Sequence, residues 1–227
     1  MMRVIGLTGG IACGKSTVSS ILKSLGAKII DADKMAHELM QPKQALYNLY
    51  VAHWGERILT EHATLDRRAV GAIVFGDAEE RAWLDRAAHP VLEAELRRRL
   101  KALRKKHKDV VVLDVPLLFE SGWDAYADEI WVASIPEALQ VERLKARNHL
   151  TEAEACARIA AQMPLAEKRA RADVVLDNSG TREYLTEQVR AAYFHAKKGF
   201  SSPASNESNV NESKSETIAG GTPNGNL

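Results

Sequence analysis

The sequence is poor in cysteine. Cys13 and Cys156 are the only two among 227 residues, too few for a disulfide framework or a zinc site by themselves. That scarcity fits a reducing compartment, so a cytoplasmic location is expected. No apolar run approaches the ~20 residues of a membrane-spanning helix. The opening Met1 to Leu7 is too short for a signal-peptide core and is broken at once by glycine. Secretion and membrane insertion are both disfavoured. There is also no excess of one charge: 31 Lys plus Arg stand against 30 Asp plus Glu, a net charge of +1. A polyanion binder would carry a basic surplus, so no nucleic-acid partner is expected. Nothing calls for an obligatory protein partner, and no internal repeat is visible.

What is there is an ordinary globular balance, 45% apolar and 27% charged. At this length it predicts one domain, or one domain with lobes, and a full core. Val4 to Leu7 reads as a buried strand, Thr8 to Gly14 as a glycine-rich loop, and Ser16 to Leu25 as a helix with Val18, Ile21, Leu22 and Leu25 on one face. Gly26 ends that helix. Ala27 to Ile30 predicts a second strand, ending at Asp31-Ala32-Asp33. Residues 34 to 107 are mostly helical and polar in pattern. Their basic run from Arg97 to Lys108 keeps leucines 96, 100 and 103 at helical spacing, the pattern of a solvated helix face rather than a polyanion site.

Val110 to Leu113 is an uninterrupted β-branched-rich run, as central parallel strands are. Ile130 to Ala133 and Val174 to Leu176 are further strands. Helices are expected from Pro136 to about Arg147, from the Thr151–Glu154 capping-box spacing onward, and from Thr181 to Lys198. Alternating strands and helices imply an α/β fold with a parallel sheet flanked by helices. From Ser201 to Leu227 the composition shifts to Ser, Asn, Glu, Gly and Pro, a segment expected to be disordered.

The chemistry is carried by Gly9, Gly10, Ile11, Ala12, Cys13, Gly14, Lys15 and Ser16, which fit G-x-x-x-x-G-K-[ST]. Such a loop turns tightly, aims N–H groups at phosphate oxygens and leads into a positive helix N-terminus. Lys15 then supplies charge to the β- and γ-phosphates, and the Ser16 hydroxyl is placed to ligate Mg²⁺. Cys13 has two readings: a thiol of lowered pKa at a helix N-terminus, or a small residue the loop tolerates. Ligands bind beyond the carboxyl ends of parallel strands. Asp33 there suits a carboxylate acting on an attacking hydroxyl, and Asp31 suits a helix N-cap. Asp114 ends the valine-rich strand, where a carboxylate holds Mg²⁺ through water, or else serves as a turn residue before Pro116. Arg143 and Arg147, at i and i+4 on one helix, are either arginines for the transferring phosphate or surface ion-pair residues. Arg158, Arg169, His37 and His89 are ambiguous in the same way.

Together these segments resemble the dephospho-CoA kinase family. The resemblance rests on Gly6 to Ile11, Gly14 to Val18, Asp31-Ala32-Asp33 with His37, Leu65-Asp66-Arg67, and His89-Pro90. It continues through Asp114 to Glu120, Arg143-Leu144, Arg147-Asn148, Ala161-Gln162-Met163-Pro164, Ala172-Asp173 and Asp177 to Gly180. It spans about residues 3 to 198. One departure is Ala12-Cys13, where the family usually has Gly-Ser or Ala-Ser.

The resemblance implies a P-loop kinase core with a helical substrate lobe and a small lid. Its boundaries would be a core of about 1–38, 108–135 and 165–200, a lobe of about 39–107, a lid of about 136–164 and a tail of 201–227. It implies transfer of the ATP γ-phosphate to the 3′-hydroxyl of the ribose of dephospho-CoA, with ATP and dephospho-CoA as ligands. By position, residues 9 to 17, ending at Thr17, cradle the ATP phosphates. Asp33 is the base toward the 3′-hydroxyl, Arg147 and then Arg143 are the lid arginines, and Asn178 lies near the adenine. Arg67 and His89 match the substrate lobe without a firm role. Two other readings stay open: another small-molecule P-loop kinase acting on a nucleoside, nucleotide or shikimate, and a nucleotide-binding regulatory module without transfer chemistry.

Overall fold

The computed structural model describes residues 2–106 and 109–198; the expected disordered tail lies outside the described residues. Five parallel strands form one sheet in the order β2-β3-β1-β4-β5. They are β1 (Arg3–Gly9), β2 (Lys28–Asp31), β3 (Val110–Asp114), β4 (Glu129–Ser134) and β5 (Val174–Asp177). Among the described residues all four strand pairings are parallel. The runs of Val, Ile and Leu thus do what a sheet covered on both faces requires.

Side chains alternate across the sheet and feed two cores. Val110 and Val112 join Ile5, Leu7 and Trp131 under α1 (Lys15–Ser24) and α9 (Arg182–Lys198), with Val18, Leu22, Leu185 and Val189 packed between. Val111 and Leu113 turn to the other face with Val4 and Ile30. That face is covered by α2 (Ala32–Leu39), α3 (Ala45–Trp54) and α5 (Ala78–Lys105), through Met35, Tyr50, Trp54, Leu96 and Leu100. Each fully buried aliphatic side chain here contributes about 1.5–3 kcal/mol.

α4 (Arg67–Gly76) stands on α5 and buries no residue fully. Asp66 and Asp77 cap α4 and α5 by accepting backbone N–H groups. The basic run lies on α5 from Arg97 to Lys105, and its first three arginines are matched by acids one turn away, Arg97 with Glu93 and Arg98 and Arg99 with Glu95, while His107 and Lys108 lie outside the described residues. Arg97, Arg98, Lys101, Arg104 and Lys105 are exposed, the solvated helix face the spacing implied.

After β4 come α6 (Glu137–Asn148), α7 (Glu152–Ala160) and α8 (Leu165–Ala170). The Thr151 capping box forms in full. The sequence pattern did not single out α8, which is only six residues long. The second strand begins one residue later than expected and takes in Asp31. Gly26 adopts φ +99°, which closes α1 with a left-handed residue.

Candidate active site

The strand register brings the acids together. Asp31 on β2 is paired with Asp114 on β3, and Asp114 with Leu7 on β1. β1 runs out two residues later into the glycine-rich loop, so Asp31 and Asp114 end beside the start of α1. Lys15, the first residue of α1, reaches back and ion-pairs with Asp114 Oδ1. Asp114 is nearly buried, and an unpaired carboxylate there would be costly.

The loop itself is built at close quarters. A Cβ on Gly9 would meet the Ala133 carbonyl oxygen at 2.6 Å, so β1 can pass β4 here only as glycine. A Cβ on Gly10 would meet Gln140 Nε2 at 2.6 Å and Cys13 Sγ at 3.0 Å. Gly14 takes φ +83° at the N-cap of α1. Ala12 also takes a left-handed φ of +62°, which costs a Cβ-bearing residue about 1–2 kcal/mol and is the kind of strain held at functional loops. Thr17 N–H closes on Gly14 O at 2.9 Å as the helix begins.

Three carboxamides surround this loop. Gln140, buried on α6, donates to Cys13 Sγ at 2.9 Å. Asn178, just past β5, donates to Cys13 O at 2.9 Å, and Arg143 Nη2 in turn donates to Asn178 O at 3.0 Å. From the turn between α7 and α8, Gln162 Oε1 accepts Ile11 N–H at 3.1 Å. Cys13 itself is fully buried, and that burial pushes its thiol up despite the Gln140 hydrogen bond. Of its two readings, the small loop residue stands and the lowered-pKa thiol does not.

Asp31 accepts Lys34 N–H at 2.9 Å and caps α2. Asp33 sits in the first turn of α2, open to the cleft. Partial desolvation raises its carboxyl above the usual range; Lys15 pulls it down, while Asp31 and Asp114 push it up. Asp33, His37, Tyr50 and Arg67 line one cleft of about 410 Å³. Across it Arg67 Nη2 donates to His37 Nδ1. Burial, reinforced by Asp85, pushes the Tyr50 phenol up to about 12, so it stays protonated.

Not every expected residue meets here. Arg143 faces the loop through Asn178. Arg147, one turn further along α6, is exposed and donates to its neighbour Asn148 Oδ1 at 2.9 Å. His89 lies outside the 410 Å³ cleft, with Nε2 3.0 Å from the Ser121 carbonyl and its ring edge-on to Trp123. Thr17 lies in the first turn of α1. The sequence alone does not decide a role for His37, although its i, i+4 spacing from Asp33 puts both on one face of α2. Gln140 was missed; the signal was a glutamine at i, i+4 from Leu144 on the buried stripe of α6.

A metal would need oxygen donors near the Ser16 hydroxyl. Ser16, Asp31 and Asp114 line one cavity of about 700 Å³. That donor set suits a hard cation such as Mg²⁺, which takes one or two carboxylates plus substrate phosphates rather than an all-protein cage. Among the described residues no cluster of three His, Cys, Asp or Glu side chains could hold a metal alone.

A parallel sheet with this strand order, a phosphate loop after its central strand, and Lys15 and acids at the carboxyl edge define a P-loop kinase. The family model described as dephospho-CoA kinase matches residues 3–183. A dephospho-CoA kinase of Carboxydothermus hydrogenoformans is 48% identical over 189 residues, 83% of this chain and 92% of that protein. One of Geobacillus kaustophilus is 46% identical over 84% of this chain and 95% of its own length. The solved structure of a Campylobacter jejuni dephospho-CoA kinase superposes with a TM-score of 0.69 at 29% identity, covering 88% of this chain and all of that one. A Thermus thermophilus structure gives 0.71 at 34% identity, covering 86% and 97%. The chain belongs to the dephospho-CoA kinase family. Among the described residues no helix is long and apolar enough to cross a membrane.

Proposed function

We propose that the chain transfers the γ-phosphoryl group of ATP to the 3′-hydroxyl of the ribose of dephospho-CoA, giving coenzyme A and ADP. The observation that carries this reading is the convergence of Lys15, Asp114 and Asp33 at the carboxyl edge of the sheet, in a chain of this family. ATP is held by the loop from Gly9 to Thr17: Lys15 and loop N–H groups other than that of Ile11, which Gln162 takes, meet the phosphates. Asn178, already bonded to the loop, stands beside the base-binding end. Dephospho-CoA enters the cleft lined by Asp33, His37 and Arg67, with His89 further along the same helical lobe.

Ser16 and Asp114 are the residues that would hold Mg²⁺, Asp114 through water. When bound, the ion neutralises charge on the β- and γ-phosphates. Asp33 accepts the proton of the 3′-hydroxyl as its oxygen attacks the γ-phosphorus. The bond to the ADP oxygen breaks, and ADP leaves with the electron pair. A carboxyl raised above its ordinary value is better matched to that proton than an ordinary one. Lys15 follows the charge as it moves to the leaving oxygen.

Residues 136–164, which carry α6 and α7, act as the lid. Arg143 is presented toward the loop, and closure of the lid delivers Arg147 to the transferring group and excludes water. Residues 39–107 form the substrate lobe. Both cysteines are free thiols, in keeping with a cytoplasmic setting.

The test is ADP release from MgATP by purified protein with and without dephospho-CoA, with the product mass read. The expected result is acceptor-dependent ADP and one CoA per ADP. ATP binding without that turnover would overturn the reading.

A further inference from the structure

Glu120 and Gln162 belong to the motifs of this chain, yet the transfer described above gives neither a task. Glu120 lies in the loop after β3. Its carboxylate pairs with Lys168 Nζ at 2.8 Å and accepts Met163 N–H at 3.0 Å. Lys168 is fully buried and also donates to the Pro116 carbonyl at 3.1 Å. An ammonium buried that deeply is tolerated only with acceptors of this kind. Their combined effect is to fix the turn between α7 and α8 against the loop that follows Asp114. Gln162 stands on that turn, and its carboxamide oxygen takes the N–H of Ile11 in the phosphate loop at 3.1 Å.

We propose that Gln162 is a positioning residue: its carboxamide seats the far foot of the lid on the phosphate loop at Ile11, on a turn held by Glu120 and Lys168. The inference rests on the phosphotransferase reading above. The near foot is already visible in Gln140, which meets Cys13. With both feet seated, α6 and α7 are anchored at each end of the lid segment, on neighbouring residues of one loop. Without the far foot, closure is incomplete and water reaches the γ-phosphate. Water oxygen then attacks the phosphorus, the bond to the ADP oxygen breaks, and ADP and inorganic phosphate form without CoA. A neutral amide suits this place. A carboxylate could accept the same N–H, but it would set a negative charge beside the ATP phosphates.

The experiment compares wild type, Gln162→Ala and Gln162→Glu in full-length protein. It measures CoA formed, ADP released per CoA, KM for ATP and Tm. Wild type is assayed first; if it makes no CoA, the reading of the reaction has failed, separately from this inference. Given an active wild type, Gln162→Ala should lower kcat about 5- to 10-fold and raise ADP per CoA about threefold or more, with Tm nearly unchanged. Gln162→Glu should raise KM for ATP at least about fivefold above that of Gln162→Ala. A Gln162→Ala enzyme within twofold of wild type in both kcat and ADP per CoA overturns the proposal. So does a fall in kcat with ADP per CoA unchanged, which is what a merely structural role would give. Equal KM values for ATP in the two variants overturn it as well.

Discussion

The two sides of β1 meet the phosphate loop with different chemistry. On the β3 and β2 side the strands end in acids, Asp114 and Asp31, with Asp33 in the first turn of α2. On the β4 and β5 side the loop is met by neutral amides, Gln140 and Asn178, with Gln162 approaching from beyond α7, while the acid that ends β5, Asp177, accepts Ser179 N–H instead. The acids face Lys15 and the cleft; the amides face the backbone and thiol of the loop. The difference separates two tasks. Charge placed at the carboxyl edge of the sheet can move protons and hold cations. Amides satisfy loop N–H and C=O groups without adding a field that would compete with phosphate.

The comparison can be broken most severely on the charged side. Lys15→Ala should lower kcat by about a thousandfold, since a preorganised charge on the transferring group is lost. A steady-state assay at saturating ATP checks this. Next is Asp33→Asn, expected to cost about 10²- to 10⁴-fold in kcat, the usual worth of a general base. The pH dependence sharpens it. Partial desolvation, with Asp31 and Asp114, outweighs Lys15 and lifts the Asp33 carboxyl above 3.8. Activity should therefore fall through that raised value as the pH drops, and the Asn variant should lack this acid limb.

The sign for stability is opposite. A carboxyl raised in the folded state is destabilising while charged and ceases to be so once protonated. Asp33→Asn should then be at least as stable as wild type at pH 7, measured by denaturant unfolding.

On the neutral side the order of effects reverses. Gln140→Ala removes a buried side chain and leaves Cys13 without its donor. It should lower stability by about 1–3 kcal/mol while kcat falls less than about tenfold. The smallest effect on activity is expected on α5, at Glu95, which lines neither the 410 Å³ cleft nor the 700 Å³ cavity. Hydrogen bonds from Arg98 and Arg99 outweigh burial and hold Glu95 at about 2, well below 4.5. Its contribution to stability is present above 4.5 and is lost as the pH falls toward 2. Glu95→Gln should cost about 1–3 kcal/mol at neutral pH and leave kcat unchanged. Urea unfolding at pH 7 and pH 3 checks it, with a smaller difference from wild type at the lower pH.

The charged side was the part most legible in the sequence. Gly9 to Ser16 is contiguous, and Asp31, Asp33 and Asp114 each follow a strand whose apolar run is plain. The alternation of strand and helix likewise predicts the sheet and its two covered faces. The amide side was less legible because its contacts are made over long stretches of chain. Gln140 meets Cys13, and Gln162 meets Ile11, only after α6 and the α7–α8 turn have packed on the loop. No local spacing encodes such a contact, and a glutamine on a helix reads as solvated until its face is known. The family motifs marked Gln162 and Glu120 without giving them partners. For Cys13, proximity to a helix N-terminus left a reactive thiol open, and burial decided against it. His37 was readable from spacing but had no visible partner until α4 brought Arg67 across the cleft.

The most direct measurement sets the two sides against each other: kcat and unfolding free energy of Asp33→Asn and Gln140→Ala, determined in parallel with wild type. The prediction is that Asp33→Asn loses at least about tenfold more kcat than Gln140→Ala, while Gln140→Ala loses more stability. If Gln140→Ala proves the slower enzyme, or Asp33→Asn the less stable protein with near wild-type kcat, the division of the site into a chemical side and a holding side is contradicted.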